Sequence, residues 1–472
     1  MKQFAETKAA KTIELIDRLM GLSGVSAQTK LLIIRWSLRH RMSHLIRSVD
    51  WGLLERSMQD LHDRVVSAVL ELAGISQPSE QIVRQLELPI SSGGLGLTRM
   101  DSLAANAGRL AAAALTQSAF SEGRPSLQPF EGASAARFAP LLEELRAAQP
   151  ELWPDSLRIA PRGLLAAGIS KAWQEHACAR RKQCFEELLS ALEQTPRGNK
   201  EVARLRSCSA PEAGAWADAL PITPHLRMDD LDVRLTLKHM LGHCTFLADA
   251  PAFPCECGAQ VSAAMHDHAM TCKTIARDKT LRHDAITISV RRSVTRAGLA
   301  STLEPKVYSI GGGAANPDDE RPQARGDILI VTDEGRKVVD VSVTHAPAES
   351  YAQAAARSNG AAAAVREREK VRQYQRQGDQ GFTFHPFVVE SHGRLGKQAW
   401  ELVNALATLA AERGSVSKRA FKRGLLQEVS VALQCGNTRV YAHGNACQAR
   451  ARGLGRRFCH GLRRPTANLR LG

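Results

Sequence analysis

Two aspartates occupy mirror positions across a short turn. Asp327 opens Asp327-Ile-Leu-Ile-Val331, and Asp340 interrupts Arg336-Lys-Val-Val-Asp340-Val-Ser-Val343. Between them Thr332-Asp333-Glu334-Gly335 reads as a β-turn, with Gly335 free to take a positive φ. If Val331 pairs with Arg336, antiparallel register sets Ile328 opposite Val339 and Asp327 opposite Asp340. Directly opposed residues on one face have Cβ atoms about 4.5–5.5 Å apart. Two carboxylates that close repel, and one is pushed towards protonation. A divalent cation relieves the conflict, because Mg²⁺ is held by one or two carboxylates together with water and phosphate oxygens. A metal-dependent phosphodiesterase needs such a pair; the competing reading is a hairpin with two solvated edge aspartates. Glu304 precedes Pro305 and is therefore expected in extended backbone. It is a candidate third carboxylate for magnesium or a solvated loop residue.

A second constellation is Cys255-x-Cys257 followed by His268-x3-Cys272. Thiolates and an imidazole in a set of four match tetrahedral structural zinc, and Gly258 lets the chain turn around the ion. His266 competes with His268 for the fourth position, and buried free thiols are the alternative to a metal site. The other cysteines, including Cys178, Cys184 and Cys435, lack such partners and read as structural. Nucleases of the PD-(D/E)xK type place a lysine two residues after the second acid, a position held here by Ser342. The best displaced candidate is Lys370, in Arg366-Glu-Arg-Glu-Lys370-Val-Arg-Gln-Tyr374. It would polarise the attacking water or stabilise the charged phosphate. A solvated helix face with Glu–Lys and Glu–Arg pairs is the plainer account.

The elements that must position these residues are mostly helices. Asp50 is placed to cap a helix whose Leu54, Met58, Leu61, Val65 and Val69 recur at helical spacing up to Gly74. Leu88-Pro-Ile-Ser-Ser-Gly-Gly-Leu-Gly-Leu97 cannot be helix. Further helices are expected over 100–120, 166–195, 230–241, 278–297 and 350–376. Strands are expected over 304–344 and at Phe382–Glu390, loop over 196–225, and a flexible connection over 121–165 with a short helix around Leu141 to Ala148. The loop 311–322, with its own Pro-Asp, reads as a flexible insertion.

With 472 residues the chain can hold two to four domains. A net charge of +15 favours an anionic partner, nucleic acid first. Aromatics at 5% argue against a base-stacking platform for single strands. No apolar run reaches the roughly 18 residues of a membrane span, and the N-terminus lacks a signal-peptide core. Scattered cysteines fit a reducing compartment. Arg456, Arg457, Arg463 and Arg464 belong to a tail without acids that suits phosphate or mere solubility.

The order of these motifs resembles the C-terminal half of open reading frames from non-LTR retrotransposons that carry a restriction-like endonuclease. Leu88-Pro with Gly93-Gly-Leu-Gly-Leu97 is similar to the segment after the reverse-transcriptase thumb. Cys255-Glu-Cys-Gly258 with His268-Ala-Met-Thr-Cys272 is similar to the family's zinc knuckle. Arg325-Gly-Asp327, Asp340-Val-Ser-Val343, Lys370 to Tyr374 and Glu390-Ser-His-Gly393 are similar to its endonuclease core. The resemblance implies an α+β multidomain chain. It would run as a helical thumb over 1–97, a helical connector over 98–229, a zinc knuckle over 230–275, a PD-(D/E)xK nuclease core over 276–395 and a basic helical tail over 396–472. It also implies that Asp327 and Asp340 hold Mg²⁺, that Lys370 is the catalytic lysine, and that target DNA and the element's RNA are partners in the nucleus. In that family the nuclease nicks target DNA and the free 3′ end primes reverse transcription. Two departures are plain. Gly326 stands where the family usually has proline, and the aromatic-Ala-Asp-Asp motif of a polymerase palm is missing, so no polymerisation is expected from this chain alone. A cleavage-inactive, nucleic-acid-binding remnant is the alternative.

Overall fold

The computed structural model describes residues 1–123, 135–154, 169–243, 252–262, 265, 267–305, 326–375, 381–414 and 416–451. His266, the loop 311–322, Arg325 and the tail arginines Arg456, Arg457, Arg463 and Arg464 lie outside them.

The N-terminal half is helical: α1 (Lys2–Gly21), α2 (Ala27–Trp36), α3 (Ser43–Ile46), α4 (Trp51–Ala73), α5 (Glu80–Glu87), α6 (Ser102–Gly123), α7 (Ala135–Ala148), α8 (Ile169–Glu193), α9 (Gly198–Cys208) and α10 (Asp230–Met240). Asp50 caps α4 through Gly52 N–H at 3.1 Å, and Gly74 ends it with φ 63°. Asp229 caps α10 in a reciprocal box with Asp232. One expectation fails here. The stretch 196–225 is not all loop, because Val202, Leu205 and Cys208 fall on one buried face of α9. The short helix expected around Leu141 to Ala148 is the second half of α7, which begins at Ala135; residues 124–134 and 155–168 lie outside the described residues. The largest apolar core joins α1, α2 and α4 to Trp216, Met228 and Leu237.

The C-terminal half is α+β. A two-residue hairpin, β1 (Phe253–Pro254) and β2 (Gln260–Val261), precedes α11 (His268–Thr271) and α12 (Ala276–Arg296). Then come β3 (Ala300–Leu303), β4 (Ile328–Thr332), β5 (Gly335–Thr344), α13 (Ala352–Arg357), α14 (Ala361–Gln375), β6 (Thr383–Glu390), α15 (Lys397–Glu412) and α16 (Lys418–Ala451). The first strand thus begins before 304, earlier than expected. The sheet order is β3-β4-β5-β6, antiparallel except for the β5–β6 pair. Such a parallel pair needs a crossover, and α13 and α14 supply it.

Alternation along β5 sorts its residues onto two faces. Val339 and Val341 join Phe387, Val389, Ile328 and Ile330 in a core against Ile286 and Val290 of α12 and Leu402 and Leu406 of α15. Val338 points the other way, onto Tyr374 of α14. Far from being a peripheral tail, α16 places Leu425, Val429 and Leu433 in the sheet core and Val431 in the N-terminal core.

Candidate functional site

The hairpin register is the expected one: Val331 pairs with Arg336 and Ile328 with Val339. One step further out, Asp327 N–H donates to Val339 C=O at 3.0 Å, which holds Asp327 against β5 near enough for its charge to act on Asp340. The side chain of Asp327 folds back on β5, and its Oδ2 accepts from Val341 N–H at 2.6 Å. A carboxylate thus replaces the missing strand at this point.

Asp340 is buried, with its Oδ2 2.8 Å and its Oδ1 3.1 Å from Lys370 Nζ. Tyr374 donates its hydroxyl to Oδ1 at 3.2 Å. Arg366 Nε donates to Ser342 Oγ at 3.0 Å, one strand pair along. The helix and strand are commensurate. Four residues of helix rise about 6 Å, and two of strand about 6.6 Å. Arg366, Lys370 and Tyr374 therefore step down α14 as Ser342, Asp340 and Val338 step down β5. Burial pushes the Asp340 carboxyl above its ordinary range and Asp327 adds to this, against the opposing pull of Lys370 and Tyr374. Burial, and then the Asp340 charge, also raise the Tyr374 phenol, which stays a donor.

The sequence reading missed His283 of α12. Its Nε2 lies 3.1 Å from both Asp327 Oδ2 and Val341 O, and its Nδ1 3.1 Å from Asp284 Oδ1. Each acid of the pair therefore has its own protein cation, so repulsion between them does not by itself demand a metal. A histidine whose partner is 44 residues away carries no local signal.

Glu304 departs from expectation. It takes φ 48°, the one positive value among described non-glycine residues, despite the proline after it. Its amide donates to Asp327 O at 3.0 Å, and Gly326 N–H reaches Pro305 O at 3.3 Å. These bonds hold a left-handed turn that costs on the order of 1–2 kcal/mol. The Glu304 side chain is exposed.

The cysteine cluster converges. One donor atom from each of Cys255, Cys257, His268 and Cys272 lies within 4.8 Å of all the others. Cys255 Sγ and Cys272 Sγ are 3.6 Å apart, and Cys257 Sγ is 3.4 Å from His268 Nε2. These spacings are too long for a disulfide. They suit a tetrahedral ion instead, since two 2.3 Å Zn–S bonds subtend an edge of about 3.7 Å. Gly258 takes φ 90° and donates to Cys255 O at 2.8 Å, which closes the knuckle. Burial lowers the His268 pKa, which favours the neutral imidazole a metal requires. Burial also pushes Cys255 up to about 11. It opposes the Cys272 thiolate too, but hydrogen bonds from Thr274 and the neighbouring thiols bring that group below its ordinary value. The set can hold one zinc ion.

No family model matches the sequence, and no curated protein matches it either. No described helix is long and apolar enough to cross a membrane.

Proposed function

We propose that this chain is a magnesium-dependent DNA endonuclease of the retrotransposon type, with a zinc knuckle beside a restriction-like core. The observation that carries the reading is the convergence of Asp327, Asp340 and Lys370 at the end of the β4–β5 hairpin, from segments up to 43 positions apart in sequence (370 − 327). Magnesium would be held by Asp327 and Asp340, without Glu304, whose exposed carboxylate does not join them, and would supply charge stabilisation and water activation. The chain's own contribution is positional. β5 fixes Asp340, the Val341 amide fixes Asp327, and Lys370 brings an ammonium to Asp340, where it can meet a phosphate oxygen. Arg456, Arg457, Arg463 and Arg464 add sequence-independent phosphate contacts, and nuclear DNA and the element's RNA are the partners.

One feature favours a second reading, a binding remnant without cleavage. Lys370 already neutralises Asp340 and His283 already engages Asp327, so a metal must displace or share protein contacts. Plasmid nicking across a magnesium series separates the two. The nuclease reading expects the wild type to nick and Asp327→Ala and Asp340→Ala each to lose on the order of 10³-fold or more, non-additively. Nicking by Asp327→Ala at the wild-type rate sinks the reading; DNA binding without any nicking by the wild type selects the remnant.

A further inference from the structure

Beside the knuckle lies a buried polar chain that neither zinc ligation nor the carboxylate pair uses. Asp267, the residue before His268, sits at the start of the one-turn helix α11. Its Oδ2 lies 2.9 Å from Arg197 Nη2 and 3.2 Å from His345 Nε2. The other ring nitrogen of His345 is 2.7 Å from Ser391 Oγ. A carboxylate at Nε2 makes that nitrogen a donor, and Nδ1 shares a hydrogen bond with the serine hydroxyl. His345 follows β5 and Ser391 follows β6, and Ser391 N–H closes the strand pair on Thr344 O at 2.7 Å. Ser391 is 1% and His345 7% exposed, while Asp267 and Arg197 are half-buried. The serine hydroxyl is buried and also lies 3.3 Å from His392 Nδ1, which argues against a nucleophile despite the Ser–His–Asp order.

A four-residue helix cannot hold its own shape, because one turn does not repay its nucleation cost. The orientation of α11, and with it the direction of His268 and Cys272, must come from outside. On its apolar side Met270 packs on Val440 and Tyr441 of α16. On its polar side the Asp267–His345–Ser391 chain is the tie. We infer that Asp267 and His345 are positioning residues for the zinc site, a latch that couples zinc affinity to the paired ends of β5 and β6. Coupling of this kind is reciprocal: whatever the sheet does for zinc, zinc does for the sheet. The inference stands on the ligand cluster and its neighbours, and is independent of whether the chain cuts DNA.

Zinc affinity of the full-length protein, measured against a chromophoric chelator with Zn²⁺ alone, tests it. Asp267→Asn and His345→Ala should each weaken zinc about tenfold or more, the scale at which partners of metal ligands act. Their double variant should lose no more than the worse single, because one chain is cut twice. His345→Gln, which keeps a donor near Nε2, should recover part of the loss. Stripping zinc from the wild type should speed hydrogen exchange of the Ser391 amide, and stripping it from His345→Ala should not. Equal zinc affinity in wild type and variants overturns the latch, as do losses that simply add. Should His345→Ala fail to fold, Asp267→Asn carries the same comparison. A wild type that binds no zinc refutes the metal site itself, and the latch with it.

Discussion

In the knuckle, four donor atoms come from the short stretch between Cys255 and Cys272 and converge around a two-residue hairpin and one helical turn. On the carboxylate face, Asp327, Asp340, Lys370 and His283 arrive from two strands and two helices that already form a packed sheet. The first site has almost no fold without its ion, so metal binding there is folding. The second is built in advance and has its charges answered by protein cations. A metal adds little to its fold and must compete for its acids. The two sites should therefore respond in opposite ways to loss of metal and to loss of a partner.

The largest effect belongs to the knuckle. Structural zinc contributes on the order of 10 kcal/mol or more of apparent binding energy, which is local folding energy. A Cys255→Ser, Cys272→Ser double variant should lose the ion and unfold the segment from β1 to α11, leaving the sheet core of Val339, Val341 and Phe387 in place. Zinc content by metal analysis, with hydrogen exchange by segment, measures both. Unchanged zinc content rejects the site, and collapse of the whole sheet rejects the contrast with the carboxylate face. Removing magnesium, by comparison, should leave exchange in β4 and β5 unaltered.

Next in size is Lys370→Ala. Asp340 and Lys370 have side chains only 7% and 15% exposed, so their ion pair is substantially out of water. Cutting one partner from such a pair costs about 3 kcal/mol, because the other charge stays buried. Asp340 has an escape, since its pKa is already raised by burial and it can take up a proton. The destabilisation should therefore be greatest at neutral pH and shrink towards acid. A double variant Asp340→Asn, Lys370→Met should be nearer to wild type than Lys370→Ala alone. Urea unfolding of the three proteins decides, and equal stability of wild type and Lys370→Ala would place that ion pair outside the energetics of the fold.

How far each site could be read from the sequence follows the same division. The Cys and His ligands and the β4–β5 register were legible because both depend on spacing along a few residues and on one turn at Gly335. Lys370 was legible as a candidate, and the matching steps of Arg366, Lys370 and Tyr374 against Ser342, Asp340 and Val338 were a signal left unused. His283, the Asp267–His345–Ser391 chain and the left-handed Glu304 were not legible, because each is set by a partner brought in by the sheet. The helix α9 was missed for another reason: its turn-rich flanks, Arg197 and Ser209, outweighed the short apolar periodicity between them.

The smallest effect sets two histidines of the sheet domain, one with raised and one with lowered pKa, against each other. Burial opposes the charge of His283, but hydrogen bonds and charges from Asp327 and Asp284 overcome it and push the group up to about 9. Burial lowers His385 instead, although its bond to Gln398 O at 2.6 Å and the Glu401 charge pull the other way. An unfolded histidine titrates near 6.5. The stability His283 lends is therefore complete below about pH 6.5 and is lost as pH rises through 9, since the folded form binds the extra proton in that window. His385 behaves oppositely: its neutral ring costs nothing above about pH 6.5, and stability falls below that as the unfolded chain takes up the proton. In magnesium-free solution, urea midpoints from pH 5 to 10 should fall at both ends. His283→Gln should flatten the alkaline limb alone and His385→Gln the acid limb alone. An alkaline limb that survives His283→Gln would mean that the Asp327 carboxylate is held by the Val341 amide without a charged partner, and that the carboxylate face stands closer to a bare metal site than its geometry indicates.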